Sequence, residues 1–246
     1  MKIVDAHAHL GTCNVFDLDV SFESLLGSMD ANEVSTALVQ PFPGCEEPTR
    51  LHDRIAQMSA QHRGRFYGVA SVNPHLGDTC LMEIKRCVED LGFVGLKLHT
   101  IGHAVLPTSR DALRVCELAN ELGVPVLVHT GTGIPFAQPS LCLPVARRFP
   151  HLKIVLCHAG YAVFAAEAMI VANEAPNIYL EPSWCTSVQL RRMIRELGSE
   201  RLLMGSDLPD NLGPEIAKAR LIGLTDAELT DYLGGSAVRI FNLSLS

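Results

Sequence analysis

Eight short apolar runs, each closed by a polar or glycine-containing segment, constrain this chain more than any other feature. They are Ile3–His7, Thr36–Gln40, Phe66–Ala70, Val94–His99, Pro125–His129, Lys153–Cys157, Ile178–Leu180 and Leu202–Gly205. Runs such as Val124-Pro125-Val126-Leu127-Val128 are brief and rich in β-branched residues, as strands buried on both faces of a parallel sheet are. Their starts follow at intervals of 24–33 residues, leaving room each time for a loop, a helix and a return. The intervening segments carry helical spacing. Gly77–Leu91 aligns Leu81, Ile84, Cys87, Val88 and Leu91 before Gly92; Asp111–Leu122 repeats the pattern before Gly123, and Ser187–Leu197 before Gly198. Alternation of this kind implies right-handed βα units. Eight units in 246 residues predict a single-domain α/β protein, a (β/α)8 TIM barrel spanning 1–246. A doubly wound open sheet is the rival, but no Gly-x-Gly-x-x-Gly follows the first run. Thr225–Leu233 and Gly235–Phe241 read as closing helices.

Composition removes several function classes. The apolar fraction of 48% supports a sizeable core. A formal charge of −7 without a basic run argues against nucleic acid or an anionic membrane as partner. Mean hydropathy is mildly positive, yet the longest stretch free of Asp, Glu, Lys and Arg, Leu122 to Ala146, holds four prolines and three glycines. No membrane helix is expected there. The eight cysteines show no CxxC spacing and read as reduced core thiols, and the first run begins at once, without a signal-peptide pattern. A cytoplasmic protein with a small-molecule substrate is expected, and homo-oligomerisation is left open.

In a barrel, side chains at the C-terminal strand ends share one mouth. The first run ends Asp5-Ala6-His7-Ala8-His9, where alternation places Asp5, His7 and His9 on one face. The fourth ends Lys97-Leu98-His99, the fifth His129-Thr130, the sixth Cys157-His158-Ala159-Gly160, and the eighth Gly205-Ser206-Asp207. Five of the ten histidines therefore stand at four strand ends. Imidazoles and a carboxylate converging on one mouth predict a divalent metal site. Zinc is the first choice, with manganese, iron or cobalt as alternatives.

The ordered set His7-x-His9, His129, His158 and Asp207 resembles the amidohydrolase superfamily, and the resemblance runs from Ile3 to Asp207. Gly95-Leu96-Lys97-Leu98-His99, Val128-His129-Thr130-Gly131 and Gly205-Ser206-Asp207-Leu208-Pro209 are similar to its amidohydrolase-related branch. That branch holds hydrolases, lactonases and metal-dependent non-oxidative decarboxylases. The resemblance implies His7, His9 and Asp207 as ligands of one metal, with Asp207 also taking a proton, and His129 as a further ligand. It implies His158 either as ligand of a second metal or as an acid or base facing substrate. Lys97 divides the readings. Its family counterpart is a carboxylated lysine bridging two metals; otherwise it is an ammonium pairing with a substrate carboxylate, or part of a structural ion pair. The main expectation is a metal-dependent hydrolase of a small ester, lactone or amide. A decarboxylase of a small carboxylic acid is the alternative, and a non-catalytic metal-binding protein the remote one.

Other residues carry less. His99 and Glu181 are candidate substrate contacts, Glu181 with a loop hydrogen bond as its more ordinary role. Phe16, Phe42 and Phe136 are candidate walls, and Gly131-Thr132-Gly133 reads as a turn before an anion cradle. His52, His62, His75 and His151 are expected at the surface, and Asp5 as a support.

Overall fold

The structure, a computed structural model, describes residues 2–244 apart from Glu46 and Thr132. β1 (Ile3–Cys13) runs into a short antiparallel partner, β2 (Leu18–Val20), and α1 (Phe22–Ala31) follows. Then β3 (Val34–Pro41), α2 (Pro48–Gln61), β4 (Phe66–Ser71), α3 (Asp78–Glu89), β5 (Gly95–Leu98) and α4 (Arg110–Leu122) alternate. The alternation continues through β6 (Val126–His129), α5 (Cys142–Arg148), β7 (Ile154–Cys157), α6 (Tyr161–Glu174), β8 (Ile178–Glu181) and α7 (Ser187–Leu197). The chain closes with α8 (Leu212–Leu221), α9 (Asp226–Thr230) and α10 (Ser236–Phe241). Strands pair in parallel in the order β1-β3-β4-β5-β6-β7-β8, with β2 outside the barrel wall. The fold is the (β/α)8 barrel that the repeat implies.

The eighth stave departs from the expected strand. Residues 202–207 join the wall only through bridges Leu180–Leu202 and Ala8–Asp207 and a few hydrogen bonds, including Ala6 N–H to Met204 O at 2.9 Å. Met204 N–H donates to Tyr232 O, beyond the sheet, and Ser206 N–H to the Asp5 carboxylate. With those donors spent elsewhere, no continuous ladder forms. Gly205 is required by closeness: a Cβ there would lie 2.8 Å from His7 Cβ and from Glu181 Cδ.

Local chemistry explains the helix ends. Ser109 caps α4 by accepting from Ala112 N–H, and Gly123 ends it in the left-handed region. Thr186 and Gln189 make a capping box at α7, which matches its predicted span. The core has two layers. Outward-facing strand residues such as Leu96, Leu98 and Val126 pack under the helices. Inward-facing Val4, Leu38, Val69, Leu127, Val155 and Leu203 fill the barrel, and Ala237, Ile240 and Phe241 of α10 seal its floor. All eight cysteines are free, and seven are buried. Among the described residues, no helix is long and apolar enough to cross a membrane.

β1 is irregular between Asp5 and Ala8, and Asp5 does not join the histidine pair. Its carboxylate accepts from Ser206 N–H at 2.9 Å, Ser206 Oγ–H at 2.5 Å and His7 N–H at 3.1 Å, tying the weak eighth stave to β1. Asp5→Ala strands these buried donors, at a cost of about 2–3 kcal/mol. For a chain of this size Tm is then expected to fall by about 5–10 °C. Calorimetry checks this, and an unchanged Tm would show that the stave needs no such tie.

Candidate active site

The structure brings the histidines of four strand ends, with Lys97 and Asp207, to one end of the barrel. His7 Nε2 and His9 Nε2 are 3.2 Å apart, and each lies 3.4 Å from Asp207 Oδ1. Edges of that length match a ligand shell with bonds of roughly 2.0–2.1 Å around one ion. With its Nδ1–H given to Glu181, His7 turns a lone pair toward His9 and Asp207. The set is therefore suited to a divalent ion. Among the described residues two other groups of donors lie mutually close, His7–Cys157–Glu181 and His52–Glu83–Cys87. His9 and Asp207 of the first group line the cavity at the barrel mouth.

A single buried carboxylate orients two rings. Glu181 Oε2 accepts from His7 Nδ1–H at 2.7 Å and from Ser183 Oγ–H at 3.1 Å, and Ser183 Oγ in turn accepts from His158 Nδ1–H at 2.8 Å. This pattern assigns Nδ1–H to both rings and leaves each Nε2 with a lone pair in place of a hydrogen. Glu181 is fully buried, so the substrate contact expected of it gives way to support of the imidazoles. Burial pushes its carboxyl up to about 7, opposed by the hydrogen bonds from Ser183. Burial also holds His7, His9, His99, His129 and His158 low, favouring the neutral rings that ligate metals. For Asp207 burial acts upward, but His158, His9 and His7 outweigh it and keep the carboxyl well below its usual range.

Lys97 lies beneath the cavity. Its Nζ donates to His7 Nε2 at 2.9 Å. It is not among the residues lining the cavity, so pairing with a substrate carboxylate finds no direct contact here. His7 Nε2 has one lone pair, since Nδ1 carries the hydrogen. Lys97 and an ion would compete for it.

The cavity, about 360 Å³, is walled by Phe16, Phe42, Ile101, Tyr161 and Trp184, with His99, His129 and His158 facing in. Phe136 lies outside this lining. Phe42 stacks on His9 with centroids 4.4 Å apart, and His99 stacks on His129 at the same distance. Both ring nitrogens of His129 are buried without a hydrogen-bond partner, as expected of a ring awaiting a ligand or substrate. Residues 158–161 have positive φ throughout, from His158 at 63° to Tyr161 at 54°; this costly backbone aims both side chains at the cavity. Of Gly131-Thr132-Gly133, Thr132 lies outside the described residues.

Some of these parts carry no sequence signal. Trp184 adopts a left-handed φ of 65°, held by its N–H to Glu215 Oε1 at 2.8 Å. Its indole Nε1–H donates to Asp207 Oδ2 at 3.0 Å, leaving Oδ1 toward the histidines. Behind it Glu215 is buried and pairs with Lys218, which also donates to the carbonyls of Pro182 and Cys185. Trp184→Phe keeps the wall and removes the indole donor. It is expected to lower kcat about 10-fold with KM nearly unchanged; an unchanged kcat would mean the indole does not orient Asp207. His52, expected at the surface, is buried: Nε2 accepts from Ser71 N–H at 3.1 Å and Nδ1 donates to Glu83 at 2.8 Å, clipping α2 and α3 to β4. His103 is buried near His99.

A family model described as Amidohydrolase matches residues 4–243. The chain belongs to the amidohydrolase family. Among curated relatives is the 2-amino-3-carboxymuconate-6-semialdehyde decarboxylase of Dictyostelium discoideum. It is 22% identical over 94% of this chain and 78% of its own length. The solved 5-carboxyvanillate decarboxylase of Sphingomonas paucimobilis superposes with a TM-score of 0.79 at 18% identity, covering 99% of both chains. A dihydroxybenzoic acid decarboxylase from Polaromonas sp., solved with manganese and 2-nitroresorcinol, gives 0.75 at 18% identity over 98% of this chain and 97% of that one. The names printed for these relatives are those of decarboxylases, whereas the main expectation for this chain is a hydrolase.

Proposed function

We propose that this chain is a metal-dependent, non-oxidative decarboxylase of a small carboxylic acid. The observation that carries the reading is the wall around the donor set: aromatic and aliphatic surface with imidazoles held neutral, and Asp207 the one carboxylate in it among the described residues. A substrate carboxylate entering such a site loses its water, and its departure as uncharged CO2 relieves that cost. The decarboxylase names of the relatives support the reaction class.

His7, His9 and Asp207 would hold one divalent ion, with zinc and manganese both suited to these donors. When bound, the ion supplies a Lewis-acidic centre that neutralises charge on a substrate oxygen. The chain's residues do the rest. Phe42, Tyr161 and Trp184 bind the substrate frame and exclude water, while His129 and His158 offer ring nitrogens to its polar groups. The C–CO2 bond breaks with its electron pair left on the substrate carbon, and CO2 leaves. Asp207, kept ionised by its histidine neighbours, takes up a proton and passes it to that carbon. One proton from solvent completes the balance, with His158 as the second group available to carry it.

Purified protein loaded with zinc or manganese is offered a panel of small carboxylic acids, esters, lactones and amides. CO2 release from an acid is expected; ester, lactone or amide cleavage without CO2 release would return the protein to hydrolysis. Elemental analysis is expected to give one equivalent of metal. Lys97→Met, which frees the His7 lone pair, is expected to bind metal at least as tightly as the parent. A fall below one equivalent in the variant would instead assign Lys97 to the ligands, as a carboxylated lysine requires.

A further inference from the structure

The geometry points to a substrate with a single acidic group on a flat, otherwise uncharged, ring-sized frame. The inference rests on the decarboxylase reading and narrows its substrate class. Three features of the cavity carry it.

Size is the first. About 360 Å³ is near the lower end for ligand pockets, enough for one substituted ring. Shape is the second. Phe42 lies parallel to His9 at 8° and His99 parallel to His129 at 18°, and Tyr161 covers His158 with centroids 4.5 Å apart. The wall is thus built of flat rings, Phe16, Phe42, Tyr161 and Trp184 among them, and ring-on-ring contact suits a flat guest.

Charge is the third and decides the matter. No described residue lining the cavity is lysine or arginine, and Asp207 is the sole acidic one. Lys97, the cation nearest the site by its contacts, is turned to His7 and is 2% exposed. His99 accepts Gly102 N–H at Nδ1, so it is a neutral donor through Nε2 and fits a hydroxyl or carbonyl of the guest. One carboxylate is answered by the ion that His7, His9 and Asp207 would hold. A second would be buried against apolar walls with no counter-charge, a penalty that direct contacts here do not offset.

The chain's single tryptophan, Trp184, lines this cavity, so its fluorescence reports occupancy without turnover. Metal-loaded protein is titrated with benzoate, isophthalate and the uncharged benzamide. Benzoate is expected to bind at least about 30-fold more tightly than isophthalate, with benzamide weaker than benzoate. Ile101→Arg, which places a cation in the wall, is expected to raise the affinity for isophthalate relative to benzoate at least about 10-fold. Equal or tighter binding of isophthalate by the parent chain would overturn the inference, as would failure of every acid to bind. Because binding is read apart from chemistry, benzoate preference with no CO2 released from any acid sinks the decarboxylase reading alone. CO2 released as readily from diacids as from monoacids sinks the inference alone.

Discussion

Alanine at His9 is expected to leave a folded barrel that has lost its metal and its activity. His9 Nε2 stands 3.2 Å from His7 Nε2 and 3.4 Å from Asp207 Oδ1, so its removal opens one vertex of a three-donor set. Metal affinity should fall at least about 100-fold, since even the outer partners of such ligands are worth 10–100-fold. With the ion gone, kcat/KM should fall at least about 1000-fold. The fold should persist, because the barrel is held by its inner and outer apolar layers and His9 sits above them at the mouth. His7→Ala is expected to match it in activity but not in stability. His7 Nδ1–H is a partner of the buried Glu181 carboxylate, which would be left to Ser183 and the His158 N–H. The loss of that bond to a charged group costs roughly 1.5–3 kcal/mol. Elemental analysis, turnover and calorimetry on the two variants test this together. Parental metal content and turnover in both would remove the donor set from the chemistry, and equal Tm values would deny the Glu181 contact its weight.

The contrast between these two histidines marks where sequence reading stops. The His-x-His pair was legible because it ends an apolar run, and the same rule found His129, His158 and Asp207. Each lies at the end of a strand or stave whose alternation is local. Glu181 also ends such a run, but its direction was not legible. Whether a strand-end carboxylate faces the mouth or the neighbouring imidazole depends on Gly205, whose missing Cβ lets the eighth stave lie against both. That closeness joins residues far apart in the chain. His52 departs from its expected surface place for the same reason: its buried ring answers Ser71 and Glu83 on other elements. The β1–β2 hairpin escaped notice because β2 is three residues long. Trp184 is a lone aromatic in a loop, given its place by Glu215 and Asp207. Periodicity sees what repeats along the chain. It does not see bonds that close across a barrel.

Asp207→Asn tests the chemistry itself. The carboxylate is held ionised by His158, His9 and His7, carries the Trp184 indole on Oδ2, and turns Oδ1 to the histidines. An asparagine keeps the volume and can keep an oxygen at either position, so metal content should fall by less than in His9→Ala, and substrate should still bind. What the amide lacks is a site for a proton. Proton transfer by a placed side chain contributes typically 10²–10⁴-fold, and kcat is expected to fall by about 10³-fold. KM should move by no more than a few-fold, the pattern of an interaction made in the transition state. Solvent deuterium sharpens the test: if protonation of the substrate carbon becomes limiting in the variant, its kcat should slow in D2O more than that of the parent enzyme. A near-normal kcat would pass the proton role to His158, whose Nδ1 is committed to Ser183 and whose Nε2 is free for the task. His158→Gln would then be the variant that loses kcat.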